Sequence, residues 1–127
     1  MAYNYNSTHK VITALLFIGW AIFHFATAEP KKTNYDNGQR RNIGQVVNGK
    51  NHGIWTWYYP SGKKRMQGTF EHGKRVGKWT IWYENGNKKL ESNYVNDKLN
   101  GDYFEWDING NLVNHKVFSN DKLVSKE

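Results

Sequence analysis

From Ile54 onward the chain alternates short runs of aromatic and β-branched residues with polar clusters rich in glycine, asparagine and aspartate. Ile54 to Tyr59 reads IWTWYY, and Lys64 to Phe70 sets Met66, Gly68 and Phe70 on one side and Arg65, Gln67 and Thr69 on the other. A period of two over such runs predicts half-buried strands, not helices. The clusters Pro60-Ser61-Gly62, Glu84-Asn85-Gly86 and Ile108-Asn109-Gly110 supply turn residues, with Gly62, Gly86 and Gly110 free to take a positive φ. A second class of turn runs through His72-Gly73, Asn96-Asp97 and Asn120-Asp121. Identity changes there while the preference for tight hairpins is kept.

The pattern repeats every 24 residues without a gap. Residues 53–76, 77–100 and 101–124 align, so that Trp55, Trp79 and Tyr103 share a column, as do Tyr58, Trp82 and Trp106, and Phe70, Tyr94 and Phe118. A half repeat over 43–52 precedes them, with Asn48-Gly49-Lys50 under His72-Gly73-Lys74. Each unit therefore predicts a β-hairpin. The expected fold is all-β, an elongated antiparallel ribbon of about seven strands in a meander, on the order of 30 Å across the strands. Recurrent aromatics in a repeat are expected in its core: Trp55, Tyr58, Phe70, Trp79, Trp82, Tyr94, Tyr103, Trp106 and Phe118.

The unit G-x-W-x-x-[YW]-x-x-x-G-x-x-x-x-x-[GS]-x-[FY] resembles the MORN repeat in its longer bacterial variant form. It is met at Gly53, Trp55, Tyr58, Gly62, Gly68 and Phe70, and again at Gly77, Trp79, Trp82, Gly86, Ser92 and Tyr94. The third unit departs, with Tyr103 for Trp, Asn114 for Met or Leu, and Lys116 for Gly or Ser. The resemblance implies a stack of hairpins that serves as a scaffold, a lipid-contacting module or an antitoxin component. It carries no catalytic residue.

Before the repeats the composition changes. A mildly basic start ending at Lys10, an apolar run from Val11 to Phe25 and the small-x-small triplet Ala26-Thr27-Ala28 predict an export signal over 1–28, cleaved after Ala28, with an uncleaved anchor as the alternative. The run is shorter than the roughly 20 residues that span a bilayer as a helix. Residues 29–42 lack apolar periodicity and are expected to form a disordered tether before the repeat domain, 43–127. The 127 residues contain no Cys, which excludes disulfides, thiolate metal sites and a cysteine nucleophile.

Candidate chemistry is sparse. His52, His72 and His115 show no ligand spacing in sequence and are expected as turn and surface residues, without a metal. Asp107 to Asn111 offers oxygens at alternate positions but lacks the glycine and glutamate placement of a calcium loop. Glu105 and Asp107 stand about 6.6 Å apart by strand rise, yet a ribbon end provides no water-excluding wall to raise one pKa. No catalytic residue and no cofactor is expected.

Binding is the remaining class. Trp57 does not recur, since Ile81 and Glu105 share its column, so it is expected to be partly wet and to contact a partner rather than fill the core. Lys63, Lys64 and Arg65, with Lys88 and Lys89, follow equivalent turns and are expected side by side near one edge. The chain carries +7, and its excess of Lys and Arg lies before residue 77 and reverses after 101. The expected function is that of an exported, non-enzymatic interaction module whose partner is another protein. The alternatives are electrostatic attachment to an anionic membrane or envelope polymer and an antitoxin or immunity role. Export argues against nucleic acid, and edge strands permit homo-oligomers.

Overall fold

The computed structural model describes residues 33–126. The expected export signal and the first residues of the expected tether lie outside the described residues. Eight strands follow: β1 (Asn42–Val47), β2 (Lys50–Tyr58), β3 (Lys64–Glu71), β4 (Lys74–Trp82), β5 (Lys88–Val95), β6 (Lys98–Trp106), β7 (Leu112–Ser119) and β8 (Lys122–Lys126). They form one antiparallel sheet in sequence order. The fold is the expected meander, with one strand more because the last hairpin closes with β8.

Two kinds of turn alternate. At the first, Tyr59 N–H donates to the Lys63 carbonyl (2.8 Å) and Gly62 N–H to that of Tyr59 (2.9 Å), and the same pair of bonds recurs at Tyr83 to Asn87 and Asp107 to Asn111. It also occurs at Tyr35 to Gln39 (2.8 and 3.0 Å). Residues 33–41 therefore form a further first turn and not a disordered tether. Tyr35-Asp36-Asn37-Gly38 stands 24 residues before Tyr59-Pro60-Ser61-Gly62 and keeps its geometry. At the second kind of turn, Asn48, His72, Asn96 and Asn120 all lie near φ +48°. Asparagine tolerates that left-handed conformation better than most side chains.

Neighbouring first turns are tied by tyrosine. Tyr35 Oη donates to the Tyr58 carbonyl (2.8 Å), Tyr59 Oη to that of Trp82 (2.7 Å), and Tyr83 Oη to that of Trp106 (3.0 Å). In the next unit the position is Asp107, whose carboxylate turns inward to accept from the backbone N–H of Asn109 (3.0 Å) and Asn111 (2.9 Å).

On one face, call it the indole face, large rings alternate with small residues from strand to strand. Gly44, Trp55, Gly68, Trp79, Ser92, Tyr103 and Lys116 succeed one another over β1 to β7. The Trp79 ring lies over the backbone of Gly68 so closely that a Cβ there would run into Cδ2 and Cε2 of the indole, and Trp55 covers Gly44 in the same way. Across from the smaller Tyr103 the small position is a serine, and Ser92 is fully buried at 1% exposure. Lys116 ends the row with its ammonium over Tyr103 (5.5 Å to the ring centre). Phe70 and Tyr94 meet Trp79 edge-on at 5.0 and 6.0 Å, and Phe70 meets Trp55 at 6.2 Å.

The expected core thus divides. Tyr58, Trp82 and Trp106 belong to the opposite face, where Trp106 packs against Phe104 at 5.7 Å. A single sheet has no second layer to cover either face, and Trp79, at 5% exposure, is the one buried apolar side chain among the described residues. Thr56, Thr80 and Glu91 are buried on the opposite face. Thr56 Oγ1 accepts from Gln67 Nε2 (2.9 Å). Glu91 is held by Lys88 (2.7 Å) and Lys78 (3.1 Å). Burial pushes its pKa up, but the hydrogen bonds and charges of the two lysines outweigh this and hold it below the ordinary value.

Two expectations follow. Trp79→Ala should cost about 3–5 kcal/mol in denaturant melts, and Trp57→Ala clearly less; equal losses would mean the two rings share one role. For Glu91 the folded pKa lies below the unfolded value of 4.5, so its stabilisation is complete above that pH and disappears as pH falls through the lower folded value. Glu91→Gln should therefore destabilise the protein at about pH 7 and hardly at all near pH 2. A deficit that persists unchanged into acid would contradict the ion-pair account.

Candidate functional surface

Beside the ring-and-glycine row on the indole face runs a second row. Asn42 pairs with Trp57, Trp57 with Met66, Met66 with Ile81, Ile81 with Leu90, Leu90 with Glu105, and Glu105 with Asn114. Four apolar side chains therefore stand on four adjacent strands, over roughly 14 Å at ordinary strand spacing, with polar residues at both ends. All four are half-buried. With Trp79 and Tyr94 they line an open groove of about 720 Å³.

Trp57 belongs to this row and also to the indole cluster. Its ring lies 5.7 Å from Trp55, 5.8 Å from Trp79 and 6.3 Å from Phe70. It is half-buried and packs on the same face as the columnar tryptophans. Strand alternation puts Trp55 and Trp57 on one side. Met66, Ile81 and Leu90 were the missed members: alternation within each strand gives their face, and cross-strand register alone sets them in line with Trp57.

The far end of the groove is fixed by Arg75 and Asp97. The guanidinium donates to Asp97 Oδ1 (2.9 Å) and to its carbonyl (3.1 Å) and lies 4.2 Å over the Tyr94 ring. The backbone N–H of Arg75, and then its guanidinium, hold the Asp97 carboxyl below its ordinary pKa. Leu99 and Leu123 share the column of Arg75, so the repeat pattern gave no hint of this clamp. Of the turn glycines, Gly62, Gly86 and Gly110 close first turns and Gly73 a second, all at positive φ.

The basic residues separate into two groups. Lys63, Lys64 and Arg65 are exposed. Lys88 is committed to Glu91 and lies 5.5 Å over Trp106, and Lys89 lies 5.4 Å over Tyr83. The carboxylates are likewise engaged. Glu105 accepts from Tyr103 Oη (2.8 Å) and Asn114 Nδ2 (2.7 Å), and the tyrosine bond foremost keeps its pKa low. Burial and Glu105 push Tyr103 up to about 12. Asp107 lies beyond the end of β6 and is also lowered, chiefly by Asn111. Neither carboxyl is poised as a proton donor.

His72 stands exposed at a second turn, as expected, whereas His52 lies within β2 and His115 within β7, both half-buried. His115 lies 2.9 Å from Asp102 and stacks on Phe104 at 4.4 Å. His52 and His72, apart in sequence, meet with ring centres 5.4 Å apart.

No curated protein matches the chain. The model of the MORN repeat variant matches residues 51–72 and 75–96, windows 24 residues apart that hold the columnar tryptophans Trp55 and Trp79 respectively, each with the two strands that flank a first turn. The turn bonds and the alternation of ring and small residue carry the same geometry to either side of those windows. Over residues 51–96 the chain carries two MORN repeats of the variant type.

Proposed function

We propose that this is an exported, non-enzymatic repeat protein that binds another protein through its indole face. One observation carries the reading: the row Trp57, Met66, Ile81 and Leu90 crosses four strands, open to solvent and bordered by Asn42, Glu105 and Asn114. Apolar centres with polar rims mark protein contact surfaces, and exposed Trp is the side chain most enriched at their energetic centres. MORN repeats bind proteins or membrane lipids, which agrees with a contact surface of this kind. Supporting the absence of catalysis, the two carboxylates nearest in chain order, Glu105 and Asp107, are both held in the ionised form. Export is supported by the basic start, the run Val11 to Phe25 and Ala26-Thr27-Ala28.

A second reading, attachment to an anionic surface, is favoured by Lys63, Lys64 and Arg65, which stand exposed beside the turn that leads into β3. Salt separates the two. Recovery of the partner from envelope extracts should be lost with Trp57→Ala and withstand raised salt, because desolvated aromatic contacts are weakly screened. Reversal of Lys63, Lys64 and Arg65 to Glu should change it little. Steep loss with salt and with the charge reversal, but not with Trp57→Ala, would favour the anionic surface. The intact mass of protein isolated from cells should correspond to a chain beginning at Glu29. A full-length cytoplasmic product would remove the export reading.

A further inference from the structure

His52 lies in β2 and His72 at the turn between β3 and β4, and both break the repeat. The positions equivalent to His52 hold Val76, Asn100 and Val124, and those equivalent to His72 hold Asn48, Asn96 and Asn120. Two independent departures from the pattern thus meet in space, with ring centres 5.4 Å apart and planes inclined by 53°. His72 occupies a left-handed turn position (φ +49°) that asparagine fills in every other unit. The turn itself gives no reason for an imidazole. The Nδ1 of His52 is enclosed and has no hydrogen-bond partner, an unfavourable state for a buried polar atom unless something else satisfies it.

We propose that His52 and His72 form a two-imidazole site for a tetrahedral transition-metal dication, zinc(II) fitting best. An imidazole nitrogen lies about 1.2 Å from its ring centre and about 2.0–2.1 Å from a bound zinc, so two rings at a tetrahedral angle have centres about 5.2 Å apart. The observed separation is 5.4 Å. Adjacent ligands of a square-planar copper(II) ion would draw the centres to about 4.5 Å. Neutral imidazole is a natural ligand for zinc, and an ion lodged between the rings would satisfy the enclosed Nδ1 of His52. Among the described residues no group of three or more His, Cys, Asp or Glu could hold a metal ion. The ion therefore keeps positions for water or for a donor from a bound molecule, and it is held more loosely than at a closed structural site.

The repeat supplies conservative variants for the test. His52→Val and His72→Asn install the residues that Val76 and Asn96 present in the next unit, so the fold should be kept, as melts can verify. His115→Gln alters a histidine engaged with Asp102 at another place. Calorimetric titration of the full chain with zinc(II) should show one site, weakened by about tenfold or more in either of the first two variants and unchanged in the third. Cobalt(II), used as a spectroscopic probe, should give the intense visible absorption of a tetrahedral ion in the wild type and lose it in both. Equal zinc affinity in the wild type and the His52→Val and His72→Asn variants would overturn the proposal. So would a purely octahedral cobalt spectrum in the wild type.

Discussion

The contact of an aromatic ring with a neighbouring strand that has no side chain beneath it organises this protein. A single sheet cannot bury a face against a second layer, so its rings must find cover within the sheet itself. Trp55 and Trp79 do so by lying flat over Gly44 and Gly68, where a Cβ has no room. The rings then stand close enough along the ribbon for Phe70 and Tyr94 to meet them edge-on, an arrangement that adds to simple area burial. The 24-residue period is the spacing that returns a large ring to every second strand and a small residue to each strand between.

The units are also joined by polar links that respect the same period. Tyrosine hydroxyls reach the backbone carbonyl at the end of the following unit's first strand, and Asp97 ties one second turn to the preceding one through Arg75. Such nearest-neighbour couplings make the stability of a repeat protein a sum over adjacent units. Where the row of rings ends, the residues change in kind. Ser92 pairs with Tyr103, Lys116 sets its ammonium over that ring from the next strand, and Asp107 bonds its own turn in place of a neighbour.

Much of this was legible in the sequence because hairpin repeats obey local rules. Alternation, turn glycines and the 24-residue columns fix strands, turns and order. The segment before Ile43 was misjudged because it lacks apolar residues, although Tyr35, Asn37 and Gly38 carry the turn signature by themselves. The groove was half legible. Trp57 stands out as non-recurrent, but Met66, Ile81 and Leu90 gain meaning only once register lines them up across four strands. Lys88 looked like part of a basic row until Glu91, three residues on, took its charge. The meeting of His52 with His72 depends on how one hairpin's turn leans on the strand before it, and no spacing in the sequence expresses that.

The ring-on-glycine contact is tested most directly by transplanting the third unit's pairing into the second. Gly68→Ser, Trp79→Tyr and their combination form a cycle in which the larger residue beneath is matched by a smaller ring above, as Ser92 is matched by Tyr103. If the contact dominates, Gly68→Ser alone should cost about 1–3 kcal/mol through overpacking. The double variant should then recover a coupling of at least about 1 kcal/mol relative to the sum of the single losses. Losses that simply add would show that the glycine and the indole act independently, and the account given for the 24-residue period would fail.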